Sequence, residues 1–488
     1  MDADIAIHDA YVLTVDDRNR LYERGTVLIE DGRLTDVRAS RDDDADIDAT
    51  RVIDGEGKLV MPGLVNAHTH LELTPLIGAF SDLDLTEMMS GMTAIFGHIA
   101  EGEYDYLTEA GYELAALNFL AGGVTTVNSM DVRPSAGAET FGEVGLRGFF
   151  GVALSDLFWD VPVDDQFARA REFIDEYHDT YDGRIRATIN PHDDWSCTHE
   201  MWERTAGLAA EYPDLLVHTH LLELEASSKM ARSNGADDSL ALLDDVGLLD
   251  DRLVAAHFRL ADGEDIRRTA EADASVAHCP SIFCYWNTDG DVQWTPVPEL
   301  RDAGVDVGLG IDDHYWHDSY NLFGEARQAR LAANLKRSTG QYHSMELVRM
   351  LTIEGAEALG VGDEIGSIES GKRADVIVLD VEKPKFTPLT NIPAQVANNA
   401  APADVETVIV DGNVLMQNGE IETMDAEAVR EQVESAVDRF ASETDWELGI
   451  GGSEPPSKVD VARDLPKRGP AQLLGRLAFQ SIEDKYPF

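Results

Sequence analysis

The stretch MPGLVNAHTHLEL, residues 61–73, is where this chain changes character. The apolar pair Leu64-Val65 leads into His68 and His70, spaced i and i+2. On a β-strand that spacing sends both side chains to one face. Two neutral imidazoles so placed can grip one metal ion, for which imidazole is the commonest protein ligand. Upstream, the chain reads as short strands at 4–13, 25–30, 33–37 and 51–54, with Asp31-Gly32 as a hairpin turn. The acidic run 41–48 reads as a solvated loop.

Downstream of the quoted stretch, short β-type runs alternate with helix-length segments. The runs are 64–67, 123–128, 146–154, 185–190, 215–220, 252–257, 275–277 and 305–311. Eight strands alternating with helices predict an α/β fold, a (β/α)8 TIM-type barrel, with its active site at the C-terminal ends of the strands. Strands return at 364–380 and at 403–415, around Asp411-Gly412, and 427–440 reads as a helix. The last stretch, 453–488, holds Pro455-Pro456, Pro466 and Pro470 and reads as an irregular tail. The expected division is a small β-sandwich built from 1–60 and 364–425, a barrel over 61–363, and a helix with an extended tail over 426–488.

The chain has 488 residues, long enough for a large core and more than one domain. Its 39 basic and 92 acidic residues give a formal charge of −53. Such a surface repels nucleic acid and anionic lipid, so neither is an expected partner. With 43% hydrophobic residues the charge does not signal disorder. It fits a high-salt cytosol, where ions screen self-repulsion, and hence a halophilic, archaeal source. Three cysteines, Cys197, Cys279 and Cys284, form no disulfide framework and suit a reducing compartment. The amino terminus lacks the basic and apolar regions of a signal peptide, and no apolar run is long enough to span a membrane. The expected location is cytoplasmic.

Chemistry-bearing residues fall at the ends of four expected barrel strands. His68 and His70 end the first. His218-Thr219-His220, followed by Glu223, end the fifth. His257 ends the sixth and Asp312 the eighth. Three or four histidines with one aspartate suit zinc, or iron or another transition metal. His218 and His220 face the same side, so the residues alone leave both open as ligands. A metal with an open position lowers the pKa of water toward ~7. Trp159, Trp195, Tyr285, Trp286, Trp294, Tyr315 and Trp316 all fall on loops at the same end, and flat aromatic walls suit a planar heterocycle.

With these motifs in view, the chain resembles the amidohydrolase superfamily. The branch is the one that includes cytosine and guanine deaminases, methylthioadenosine and S-adenosylhomocysteine deaminases, and triazine hydrolases. The resemblance runs over roughly residues 4–440 and rests on MPGLVNAHTH, HLLE at 220–223, AHFRL, VAHCPS, VGLGIDD and IGSIESGKRADVIVLD. It implies metal ligands at His68, His70, His220 and Asp312, a proton-shuttling Glu223 and an oxyanion-stabilising His257. The Arg184-Ile185-Arg186 region has no lysine of the kind binuclear members use, so one divalent cation is implied, zinc first and ferrous iron second.

The reaction implied is hydrolytic deamination of an amino-substituted nitrogen heterocycle: a purine, pyrimidine, nucleoside or triazine-like ring. Asp312 would take a proton from the attacking water, and Glu223 would protonate the ring nitrogen. His192 matches the family's substrate-contacting histidine. Glu72 resembles the His-Thr-His-Leu-Glu stretch of aminofutalosine deaminases. Trp195 and Trp286 stand where the family's usual Ala-Pro-Tyr and Ser-Asn are replaced, and are expected to bind substrate. Chloride or cyclic-amide hydrolysis at the same site is the enzymatic alternative, and a non-catalytic metal-binding protein the alternative of another class. The expected partners are a small heterocyclic substrate and further copies of the chain.

Overall fold

The computed structural model describes residues 3–44, 47–81, 83, 85–285, 294–317 and 319–454. Eight barrel strands run in chain order: Leu64–Thr69, Val124–Asp131, Arg147–Leu154, Ile185–Ala187 with Asn190–Pro191, Val217–Leu221, Leu253–His257, Ser275–His278 and Val307–Leu309. The first four pair in parallel, as do the last four. Parallel bridges Ile189–Val217 and Thr69–Asp312 join the halves and close the barrel. Helices cover the outside and side chains fill the inside, so most strand positions are buried. Their burial is therefore continuous rather than alternating, and polar positions such as Asn128 and Ser129 are buried with the rest.

Two strands are shorter than expected, each for a local reason. The fourth is interrupted at Thr188 and Ile189, where Thr188 N–H donates to the Phe150 carbonyl at 2.8 Å and Ile189 N–H turns to the Leu216 carbonyl, just before the fifth strand, at 2.9 Å. The eighth leaves its neighbour after Leu309 to close the seam, where Ile311 and Asp312 N–H groups both donate to the His68 carbonyl, at 3.1 and 3.0 Å. Gly310 permits that approach, because a Cβ there would meet the His68 oxygen at 2.8 Å. The seam therefore sets the HTH stretch beside Asp312.

The terminal segments share one nine-stranded sheet. Val376–Asp380, from the C-terminal side, pairs antiparallel with Lys58–Pro62, from the N-terminal side, with Leu379 opposite Leu59. Period-2 alternation divides these strands between two cores. Val60, Val376, Val378 and Ile409 pack with Ile5, Ile7, Val27 and Ile29 inside the sheet domain. Leu59, Met61, Ile377, Leu379 and Val408 face the barrel core. The far edge curls back, with Leu34 N–H donating to the Lys372 carbonyl at 2.9 Å. Asp31 and Gly32, both at positive φ, turn Leu21–Glu30 into Arg33–Ala39.

The 41–48 loop is not wholly solvated. Asp44 is 2% exposed, accepts from Thr26 Oγ1 and takes two bonds from the Arg38 guanidinium. After the helix Ala426–Glu443, the strands Glu447–Gly449 and Gly452–Glu454 form a hairpin where the start of an irregular tail was expected. Residues 455–488 lie outside the described residues. Trp446 packs on Phe80 with ring centroids 5.4 Å apart. Its ring also presses on Gly91 of the helix Leu85–Ala100, where a Cβ would meet it at 2.8 Å.

Candidate active site

The C-terminal strand ends converge on one cluster. Ligand-type atoms of His68, His220, His257 and Asp312 lie within 4.8 Å of one another, all four buried. His70 joins them, its Nε2 lying 3.1 Å from His220 Nε2 and 3.6 Å from Asp312 Oδ1. His68 Nε2 is 3.4 Å from Asp312 Oδ1. Ligands at ~2.0–2.1 Å around a tetrahedral ion stand ~3.4 Å apart, so these spacings have the size of a coordination shell.

His70 and His220 are held from behind. His70 Nδ1 donates to the Met130 carbonyl and His220 Nδ1 to the His192 carbonyl, at 2.6 Å for His220. These bonds turn both Nε2 atoms inward and leave them lone pairs when the rings are neutral. Two lone pairs 3.1 Å apart repel unless a proton or a cation lies between them. His68 Nε2 is buried without a hydrogen-bond partner. Burial holds His68, His220 and His257 well below the ordinary imidazole range, hence neutral and able to ligate. Burial also opposes charge on His70, but Asp313, Asp312 and Asp131 outweigh it and raise its proton affinity. The same carboxylates favour any cation at this point. The donor set and its orphaned nitrogen fit a divalent cation.

His218 points elsewhere. Its Nε2 meets His68 Nδ1, on the far side of that ring, at 2.8 Å. His257 and Asp312 adopt positive φ, 71° and 67°, a conformation unusual for such residues and found where function over-determines the backbone.

Across the cluster stands Glu223. Its Oε1 is 3.9 Å from His257 Nε2, and its Oε2 accepts from Trp195 Nε1 at 3.3 Å. Burial first, then Asp312 and Asp193, push its carboxyl well above the usual range, which favours its acid form. Arg259 donates to the Glu223 backbone carbonyl and lies over the Phe283 ring.

A cavity of about 620 Å³, counting its open mouth, rises from this floor. Glu72, His192, Trp195, Phe158, Trp159 and Trp316 line it, together with Met92 and Phe96 from the helix braced by Trp446. His192 sits between Phe158 and Trp159, with ring centroids at 5.0 and 5.4 Å. Glu72 reaches the wall, but its two oxygens accept from the N–H groups of Val132 and Arg133. Its carboxyl, raised to about 8 by burial and Asp131, anchors a loop.

The other loop aromatics disperse. Tyr285 is 67% exposed, Trp294 lines a separate cavity, and Tyr315 is buried with its hydroxyl on Asp313. Trp286 lies outside the described residues. Sequence reasoning passed over Asp313, Phe158 and Arg259. Asp313 lines the cavity, its carboxyl raised to about 7 by burial. Its position beside Asp312 was the one available signal.

Comparison with known proteins agrees with this geometry. The family model described as "Amidohydrolase family" matches residues 59–415. A 5'-deoxyadenosine deaminase of Methanothermobacter thermautotrophicus is 36% identical, over 85% of this chain and 94% of its own length. A 5-methylthioadenosine/S-adenosylhomocysteine deaminase of Symbiobacterium thermophilum is 32% identical, over 85% and 94%. The crystal structure of an adenosine deaminase from Xanthomonas campestris with bound zinc superposes with a TM-score of 0.82 at 29% identity. That match covers 90% of this chain and 99% of the other.

Proposed function

This chain belongs to the amidohydrolase family and is a metal-dependent hydrolase of carbon–nitrogen bonds, a deaminase. On that premise we propose that its substrate is an adenine nucleoside, of the 5'-deoxyadenosine or 5'-methylthioadenosine type. The observation that carries this reading is the cavity. Aromatic walls from Phe158, Trp159, Trp195 and Trp316 suit a planar ring, and Glu223, His257 and Asp312 converge at the floor. The ion is assigned as zinc, as in the Xanthomonas campestris relative.

His68, His70, His220 and Asp312 would hold the cation, which supplies Lewis acidity and makes water acidic near neutral pH. Asp312 accepts a proton from the attacking water on Oδ2, which lies 3.6 Å from His257 Nε2. His257 donates from Nε2 to the oxygen as negative charge develops on it. Glu223, whose burial favours the acid form, donates to the ring nitrogen beside the carbon that bears the amino group. The proton on Asp312 passes to the amino group, which leaves as ammonia, and Glu223 recovers its proton from the added hydroxyl as the carbon–oxygen double bond forms. Trp195 holds the Glu223 carboxyl by its 3.3 Å bond and walls the ring. His192 lies beside it in the wall.

The wider setting follows. The charge of −53 supports a chain that works in molar salt inside the cell, and its cysteines are all free. Among the described residues no helix is long and apolar enough to cross a membrane. Leu331 and Leu335 are exposed one turn apart on the helix Leu322–Lys336, which supports a homo-oligomer.

The test is ammonia release in molar KCl from adenosine, 5'-deoxyadenosine, 5'-methylthioadenosine and S-adenosylhomocysteine, with adenine, cytosine and a chlorotriazine alongside. Turnover of a 5'-modified adenosine above the free bases is the expected result. Zinc-loaded protein inert on every adenine nucleoside would overturn the assignment.

A further inference from the structure

His68, His70 and His220 aim Nε2 at a common point, and two of them have no choice in the matter. The groups behind His70 and His220 are backbone carbonyls. A carbonyl only accepts, so each neutral ring carries its proton on Nδ1, whatever side chains surround it. His68 is different. Behind it stands another imidazole, His218, which can donate or accept.

If His218 donated from Nε2, His68 would carry its proton on the other nitrogen. That proton would face Asp312 Oδ1 at 3.4 Å, and no lone pair would be left for an ion. If His218 accepts, its own proton sits on Nδ1 and His68 Nε2 is bare. His218 Nδ1 is buried and without a hydrogen-bond partner. Both rings are fully buried, at 0% exposure, and packed edge to face with centroids 4.9 Å apart, so neither can swivel away.

We propose that His218 is a positioning residue: it commits His68 to the tautomer with a bare Nε2, and so sets how tightly the site holds its divalent cation. This rests on reading the cluster as a metal site. His218 shares a strand face with His220 yet is no ligand, because its Nε2 addresses the back of the His68 ring. Two ligand tautomers are written in the backbone and one in a side chain. The side chain is the point at which substitution can loosen the ion without touching a ligand.

H218L and H218Q separate this role from packing. Leucine removes the acceptor, whereas glutamine can bring its carbonyl oxygen near the place of Nε2. Each protein is stripped with a chelator and titrated with cobalt(II), read by its visible bands. The melting temperature of the metal-free form is measured in parallel. H218L is expected to bind cobalt roughly 10–100-fold more weakly than the parent. H218Q should bind close to the parent. Parent-like affinity in H218L overturns the proposal, as does an equal loss in both variants. An affinity unchanged while the metal-free melting temperature falls assigns His218 to packing alone. A parent chain that binds no cobalt overturns the metal-site reading itself, and this proposal with it.

Discussion

Replacing Glu223 with glutamine removes one transferable proton and almost nothing else. The side chains match in size, and an amide oxygen can still accept from Trp195 Nε1, as Oε2 does at 3.3 Å. Arg259 donates to the Glu223 backbone carbonyl, a bond that the substitution leaves in place. Glu223 lies across the cluster from His68, His70, His220 and Asp312, and cobalt or zinc content should stay at the parent level. What is lost is general acid catalysis, about 10²–10⁴ in kcat, or ~3–5 kcal/mol of barrier. The sign of the pH dependence follows from the same carboxyl. Its acid form is the working form, so parent kcat should fall as pH rises through the elevated pKa. The ultraviolet change from an adenine to a hypoxanthine ring follows the reaction directly. E223Q that keeps more than a tenth of parent kcat with its metal in place would refute the role given to Glu223.

Three further outcomes are expected. Arg147 and Asp375, 1% and 4% exposed, pair through two bonds of 3.0 and 3.2 Å. D375N should therefore cost roughly 3–5 kcal/mol, read as a shift in denaturation midpoint, and an unshifted midpoint would refute the pairing argument. Glu325, buried against Ser281, is raised to about 8, against ~4.3 unfolded. The folded state then keeps a proton the unfolded state releases, so stability falls as pH rises between those values. The drop in melting temperature from pH 6 to pH 9 should be smaller in E325Q, and an equal drop would count against it. Finally, diluting KCl from about 1 M to 0.1 M lengthens the Debye length from ~3 to ~10 Å. The melting temperature should fall with it, and one that does not move would discount self-repulsion among the 92 acidic residues.

The parts of this fold visible in the sequence were those with a period. His68 and His70 share a face by strand geometry, and four strand ends carrying His or Asp pointed to one barrel mouth. The structure brings those groups within reach of one ion. Loops have no period, and there the reading thinned. Nothing in the sequence separates Trp195, on the cavity wall, from Tyr285 in solvent or Trp294 in another cavity. Asp44 looked like one more acid in an acidic loop, yet it is buried against Arg38, a partner set by tertiary packing. The ambiguity between His218 and His220 was also physical, since strand geometry faces them the same way. The structure distinguishes them: His218 Nε2 meets His68 Nδ1, whereas His220 Nε2 meets His70 Nε2.

The pairing of Lys58–Pro62 with Val376–Asp380 has a consequence in time. The partner of Leu59 is made roughly three hundred residues later, a delay on the order of tens of seconds at the pace of synthesis. Through that interval the nascent chain carries an open strand edge beside a growing barrel, and such edges seek other chains. All eight barrel strands are synthesised before the sheet can be completed. A ribosome stalled before Val376 would therefore display a sticky, half-built sheet, which makes the last quarter of the message decisive for whether the first sixty residues stay soluble.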